Sequence, residues 1–105
     1  MNHAIVVTRH ATLTDYMREK GILPVGCGVD VISHVEDPEV LVGRVVYGVL
    51  PYHLALLAKT YVNVGLSLPP EMRGKELTLE EVRKYALPPV AYRVEACALP
   101  SYEES

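Results

Sequence analysis

The sequence predicts a small α/β sandwich built on a mostly parallel sheet. Short, nearly all-apolar runs such as VVYGVL at 45–50 are interleaved with segments whose apolar residues recur at helical spacing. Strands covered on both faces read that way. The run at 45–50 passes through Pro51 straight into the next such segment, so a strand feeds a helix with almost no loop. Taken in order, the chain reads β-α-β-turn-β-α-β-α-β, and right-handed crossovers then put helices on both faces of the sheet.

The β-branched run AIVV at 4–7 is the first strand, followed at once by Thr8, Arg9 and His10. Thr12 or Thr14 is expected to cap a helix carrying Leu13, Tyr16 and Met17. Asp15 in its first turn and Arg18 and Lys20 in its last complement the helix dipole, and Gly21 is the expected stop. VDVISHV at 29–35 is a second strand whose polar interruptions suit an edge position. Glu36, Asp37, Pro38 and Glu39 begin a turn or single helical turn closed by Gly43. After the strand at 45–50, a helix is expected from Pro51 to Lys59 or Thr60, with Leu54, Leu57, Ala58 and Tyr61 at helical spacing. An alternating strand at 61–68 ends at Pro69 and Pro70, and the charged segment PPEMRGKE at 69–76 is a loop. Thr78 and Glu81 have capping-box spacing before a helix that runs to Ala86 and is stopped by Pro88 and Pro89. The last strand spans 90–98, and the tail from about 100 onward is expected to fray.

A chain of 105 residues suits one domain, 1–105, with its own core and no room for a second. Half of it is hydrophobic and 22% charged, the profile of a compact globule. No apolar run reaches the ~18 residues of a membrane helix, and MNHAIVV has neither a basic leader nor a cleavage pattern. A cytoplasmic protein without a membrane partner is therefore expected. Cys27 and Cys97 lack CxxC spacing and read as small buried hydrophobes in a reducing compartment. The net charge of −3 argues against broad binding of long nucleic acid, whereas a small anion needs only a few local donors.

In parallel α/β sheets, ligands collect beyond the C-terminal ends of the strands, near a switch in strand order. Thr8, Arg9 and His10 follow the first strand, Pro51, Tyr52 and His53 the third, and Glu71, Arg73 and Lys75 lie beyond the fourth. On one rim they bring together a hydroxyl, guanidiniums, an ammonium, imidazoles and the free N–H groups of a helix's first turn. That is an anion site, and the rigid fork of arginine suits phosphate. Neither a GxxxxGKS/T loop nor a GxGxxG turn occurs, and no cofactor is expected. His3, His10, His34 and His53 never fall four apart on one helix and HExxH is absent, so no metal site is expected either. His34, following an edge strand, reads as solvent-facing or loop-bonding. His53 has the alternative of merely facing solvent, and Glu71 reads either as a base or as a surface partner of Arg73 and Lys75.

IVVTRH at 5–10, GVLPYHLA at 48–55 and LPPEMRGKELTLEEVR at 68–83 carry a resemblance that runs through nearly the full chain. In these blocks the chain resembles a family of very small accessory CRISPR-associated proteins of type III systems. The resemblance implies a ring nuclease, an enzyme that opens cyclic oligoadenylate messengers and so switches off the antiviral effectors they activate. It also implies a reduced Rossmann-like three-layer sandwich, related to the cyclic-oligoadenylate sensor domains, acting as a symmetric homodimer without metal. Cyclic tetra-adenylate is the expected ligand, with cyclic hexa-adenylate the other ring to consider. A non-catalytic sensor or sink, which needs the same basic rim, is the alternative function.

Roles for single residues follow from side-chain chemistry alone. The reaction expected is attack of a ribose 2′-hydroxyl on its neighbouring phosphodiester, which needs no outside nucleophile. Arg9, His10 and Lys75 are the expected catalytic residues, and Thr8, Pro51, Tyr52, His53, Glu71 and Arg73 the expected ligand-binding set. Arg9 clamps phosphate, while Arg73 and Lys75 close over the ring from their loop. Histidine ordinarily titrates near neutrality, so His10 or His53 is suited to moving a proton, with His10 preferred for its place beside Arg9. Positioning alone, without proton transfer by a histidine, remains the alternative.

Overall fold

The computed structural model describes residues 4–24 and 28–101. Strands β1 (Ala4–Val7), β2 (Val29–Ile32), β3 (Val45–Gly48), β4 (Thr60–Asn63) and β5 (Val90–Tyr92) form one sheet in the order β2-β1-β3-β4-β5. The first four are parallel, and β5 joins β4 antiparallel. Helices α1 (Ala11–Glu19), α2 (Tyr52–Ala55) and α3 (Leu79–Tyr85) and 3-10 turns at Pro38–Leu41 and Pro70–Met72 complete a small Rossmann-like α/β fold. Its mostly parallel sheet and its class are those the sequence predicts.

Successive residues of a strand face opposite sides, and both sides are covered here. Ala4, Val6 and Tyr47 pack with Leu13 and Met17 of α1 and Val82 of α3, while Ile5, Val7, Val46 and Tyr61 pack with Leu41, Ala55 and Ala58. Burying one such large side chain stabilises by roughly 1.5–3 kcal/mol. That packing, more than ladder length, holds such short strands in place.

The end of α1 follows its sequence signal. Gly21 takes φ +71 and donates its N–H to Arg18 O at 3.2 Å, while Ile22 N–H reaches Met17 O at 2.9 Å, a Schellman closure. Its start differs from expectation. His10 is the N-cap and provides no side-chain cap, because the helix begins directly after the turn that follows β1. Thr12 and Thr14 lie inside the helix instead. The Thr12 hydroxyl donates to Leu77 O at 2.9 Å, tying α1 to the segment before α3, and Thr14 is buried. No acidic residue falls in the first turn, so Asp15 does not play the dipole role expected of it; Arg18 does stand in the last.

The largest departure is α2, which is a single turn rather than a helix to Lys59 or Thr60. Backbone bonds pull the following residues back to the base of β3: Lys59 N–H donates to Arg44 O at 2.8 Å and Gly43 N–H to Leu57 O at 3.3 Å. Thr60 therefore already opens β4. Four strands are also shorter than read. β3 ends at Gly48 rather than Leu50, where its partners Val7 and Asn63 end. β2 stops at Ile32, where Ser33 and His34 bend away, although its predicted edge position holds. β4 stops at Asn63, level with the end of β3, and Leu66 then makes an isolated bridge to Ala86. β5 stops at Tyr92, because only Tyr61, Val62 and Asn63 offer it partners. Cys97 lies beyond that end and is exposed, not buried as expected. Cys27 and residues 102–105 of the tail lie outside the described residues.

Other sequence signals are met. Asp37 accepts the Glu39 N–H at 3.0 Å to start the 3-10 turn, and Thr78 and Glu81 form both bonds of a capping box, at 3.1 and 3.0 Å. No helix among the described residues is long and apolar enough to cross a membrane.

β1 passes close against β3 at Gly48, whose φ is +135 and whose missing Cβ would lie 2.2 Å from Val7 O. Gly48→Ala must rotate the backbone or part the strands, and we expect a loss of about 2–4 kcal/mol. A lowered urea midpoint followed by circular dichroism is the readout; an unchanged midpoint contradicts this packing.

Arg83 on α3 forks onto Glu19 on α1, with Nε to Oε2 at 2.8 Å. That hydrogen bond is the main reason the Glu19 carboxyl sits below its ordinary range. A depressed carboxylate pKa stabilises the fold above the ordinary glutamate value, and the contribution is lost as pH falls through the depressed one. Thermal unfolding of wild type and Glu19→Gln should therefore differ modestly at pH 7 and converge in acid. Parallel curves across that range would show that the pair contributes nothing.

Candidate functional site

After β1 the chain enters α1 on one face of the sheet, whereas after β3 it enters α2 on the other. Neighbouring strands whose connections leave to opposite faces open a crevice at their C-terminal ends. A cleft of about 590 Å³ lies there. Leu13, Leu50, Leu54, Val64 and Leu66 form much of its wall, and its polar groups are Thr8, Arg9 and His10 after β1 and Ser33 and His34 after β2. An apolar enclosure with a few convergent polar groups suits a small ligand.

Short-range bonds place those groups. Thr8 N–H donates to Ile32 O at 2.9 Å, carrying the pairing of β1 and β2 one residue past the strand. Thr8 Oγ1 accepts the His10 N–H at 3.1 Å. This tight turn leaves Arg9 exposed and His10 half-buried in the wall. His34 is held at both ring nitrogens, with Nδ1 3.4 Å from Ser33 Oγ and Nε2 3.3 Å from Glu36 Oε1. It is exposed and bonded to its own loop, as its place after an edge strand predicts, yet it also lines the cleft. A strand read through to 35 hides the bend at Ser33. The pairing of Val7 with Ile32 is the feature that brings the two strand ends level.

Not all of the expected site residues meet. Thr8, Arg9, His10 and Pro51 line this cleft. Tyr52 lines a second one, of about 530 Å³, beyond Leu50 and Pro51, together with Tyr61, Asn63, Tyr92 and Val94. His53, Glu71, Arg73 and Lys75 line neither and are exposed. The loop of Glu71, Arg73 and Lys75 nevertheless follows Leu68, which belongs to the first cleft. The helix N-terminus expected to supply anion-binding N–H groups is only the one turn of α2, with Leu54 and Ala55 both donating to Pro51 O, at 3.1 and 3.0 Å. The side-chain donors of the first cleft are those after β1 and β2. Among the described residues, no group of three or more His, Cys, Asp or Glu is placed to hold a metal ion.

The wall between the two clefts is pinned by Tyr61. Its Oη accepts the Leu50 N–H at 2.9 Å and Asn63 Nδ2 at 2.8 Å. Neither bond is visible in the sequence, where Leu50 and Tyr61 read as apolar positions of a strand and a helix.

Fold and cleft together define a doubly wound α/β domain with its polar groups gathered at the switch in strand order. The family model described as "Putative CRISPR-associated protein (Cas_VVA1548)" matches residues 5–95, and the chain belongs to that CRISPR-associated family. No curated protein and no solved structure matches the chain.

Tyr61→Phe leaves the Leu50 N–H without its acceptor, a loss expected to cost about 1–3 kcal/mol. Hydrogen exchange should quicken at the Leu50 amide more than at Val82 in α3. Equal changes at the two amides would mean that the hydroxyl does not pin the wall.

Proposed function

We propose that this protein is a ring nuclease that opens cyclic tetra-adenylate and so ends type III CRISPR signalling. The observation that supports it best is one arginine and two histidines on a single cleft at the strand switch, in a chain of a CRISPR-associated family. A cleft of about 590 Å³ takes roughly one or two nucleotides, not a whole ring. A symmetric homodimer brings a second, identical cleft to the ring's other phosphates.

In this reading the ribose 2′-oxygen attacks phosphorus, the phosphorus–5′-oxygen bond breaks, and the products are linear adenylates with a 2′,3′-cyclic phosphate and a 5′-hydroxyl. No water is consumed. Arg9 clamps the non-bridging oxygens and offsets the charge that grows on them. One imidazole removes the 2′-hydroxyl proton and the other returns a proton to the leaving 5′-oxygen. His10 takes the first role and His34, oriented by Glu36, the second. Arg73 and Lys75 close over the ring from the loop after Leu68.

Single-turnover cleavage and binding constants of Arg9→Ala, His10→Ala, His34→Ala and Lys75→Ala test these roles. Arg9→Ala should weaken binding at least tenfold, and either histidine variant should slow cleavage about 10²–10⁴-fold at nearly unchanged affinity. Wild-type rates in both histidine variants would remove acid–base catalysis, and normal binding and cleavage by Arg9→Ala would remove this cleft as the site. Turnover beyond one ring per dimer separates an enzyme from a sink, and a monomer with and without ligand in the ultracentrifuge contradicts the shared site.

A further inference from the structure

The second cleft holds groups that phosphodiester cleavage does not use. Tyr61 and Asn63 stand two apart on β4 and so share a face, and Tyr92 of β5 lies directly opposite Tyr61. The Tyr61 and Tyr92 rings are 6.2 Å apart and tilted by 30°. Tyr52, on the same cleft, is 82% exposed. A phenol oxygen has two acceptor positions and one proton. Leu50 N–H and Asn63 Nδ2 fill both positions of Tyr61, so its proton is left for a third group, and no protein acceptor for it is found among the described residues. Asn63 keeps one Nδ2 hydrogen and its Oδ1 open. Aromatic faces beside an acceptor and a donor match adenine, whose N6 amino group donates next to a ring nitrogen that accepts.

We propose that this cleft is an adenine-binding subsite, in which Tyr52 and Tyr92 stack on the base while Asn63 and Tyr61 read its edge. It rests on the reading of the first cleft as an adenylate phosphate site. Leu50 and Pro51 line both clefts, so a ribose passing over Pro51 joins a base in one to a phosphate in the other.

Calorimetric titration of the full chain with adenosine 5′-monophosphate, inosine 5′-monophosphate and ribose 5-phosphate tests the subsite without any substitution. Inosine monophosphate carries a 6-oxo acceptor where Oδ1 needs a donor. The adenine nucleotide should bind at least about tenfold more tightly than the other two. Tyr92→Ala, on an exposed edge strand, should cost the adenine nucleotide about tenfold and leave ribose 5-phosphate unaffected. Asn63→Leu should erase the preference over inosine. Equal affinities for the three probes, or no binding of the adenine nucleotide at millimolar concentration, overturn the subsite. If the wild type cleaves cyclic tetra-adenylate while the probes bind alike, the subsite falls and the ring-nuclease reading stands. If adenine is preferred through Asn63 but the ring is neither bound nor cleaved, the subsite stands and the ring-nuclease reading falls.

Discussion

The C-terminal edge of the sheet depends on how closely β1 and β3 run at Gly48. With no Cβ, this residue lets the Val7 carbonyl oxygen occupy space that any side chain would fill, and its φ of +135 belongs to a backbone that other residues rarely adopt. Released there from the ladder, the chain passes through Val49 and Leu50 to Pro51 and enters α2 on the face opposite α1. The cleft is the space left between connections that diverge. Its polar groups are the residues that follow β1 and β2, carried there by parallel pairing in register.

Holding the fold and supplying the charged groups fall to different residues, although core residues such as Leu13, Leu50 and Val64 also wall the first cleft. Among the described residues the core is almost wholly apolar, with Thr14 its buried polar exception, whereas Arg9, His34, His53, Arg73 and Lys75 are exposed. A protein with a formal charge of −3 can still present local cations to an anion, because a cleft concentrates a few donors that surface averages conceal. Tyr61 is where the two tasks meet. It packs in the core, it holds the Leu50 amide, and it borders the second cleft. One buried hydroxyl thereby couples the stability of the sheet edge to the shape of the surface beside it.

Much of this was legible from the chain. Short apolar runs marked the strands; glycine at 21 closed α1 and the threonine–glutamate pair at 78 and 81 opened α3, because these caps are local signals satisfied by bonds within a few residues. The place of Arg9 and His10 after β1, and so at the cleft, was equally readable. Where distant backbone bonds competed, local signals lost. Helical spacing at 51–59 gave way to the pull of Arg44 and Gly43, and strand-like runs at 29–35, 45–50, 61–68 and 90–98 were cut where their partners ended.

The sequence by itself determined the class of fold, the order of the elements and the residues after the first strand, since periodicity, caps and turns act over one or two turns of chain. Only the tertiary structure decided which distant segments meet. It brought His34 to the cleft of His10, set Tyr52, Tyr61, Asn63 and Tyr92 around a second cleft, and left His53, Glu71, Arg73 and Lys75 outside both. The physical reason is strand order. Pairing β1 between β2 and β3 depends on contacts between residues far apart in the chain, and no local pattern encodes which neighbour a strand will take.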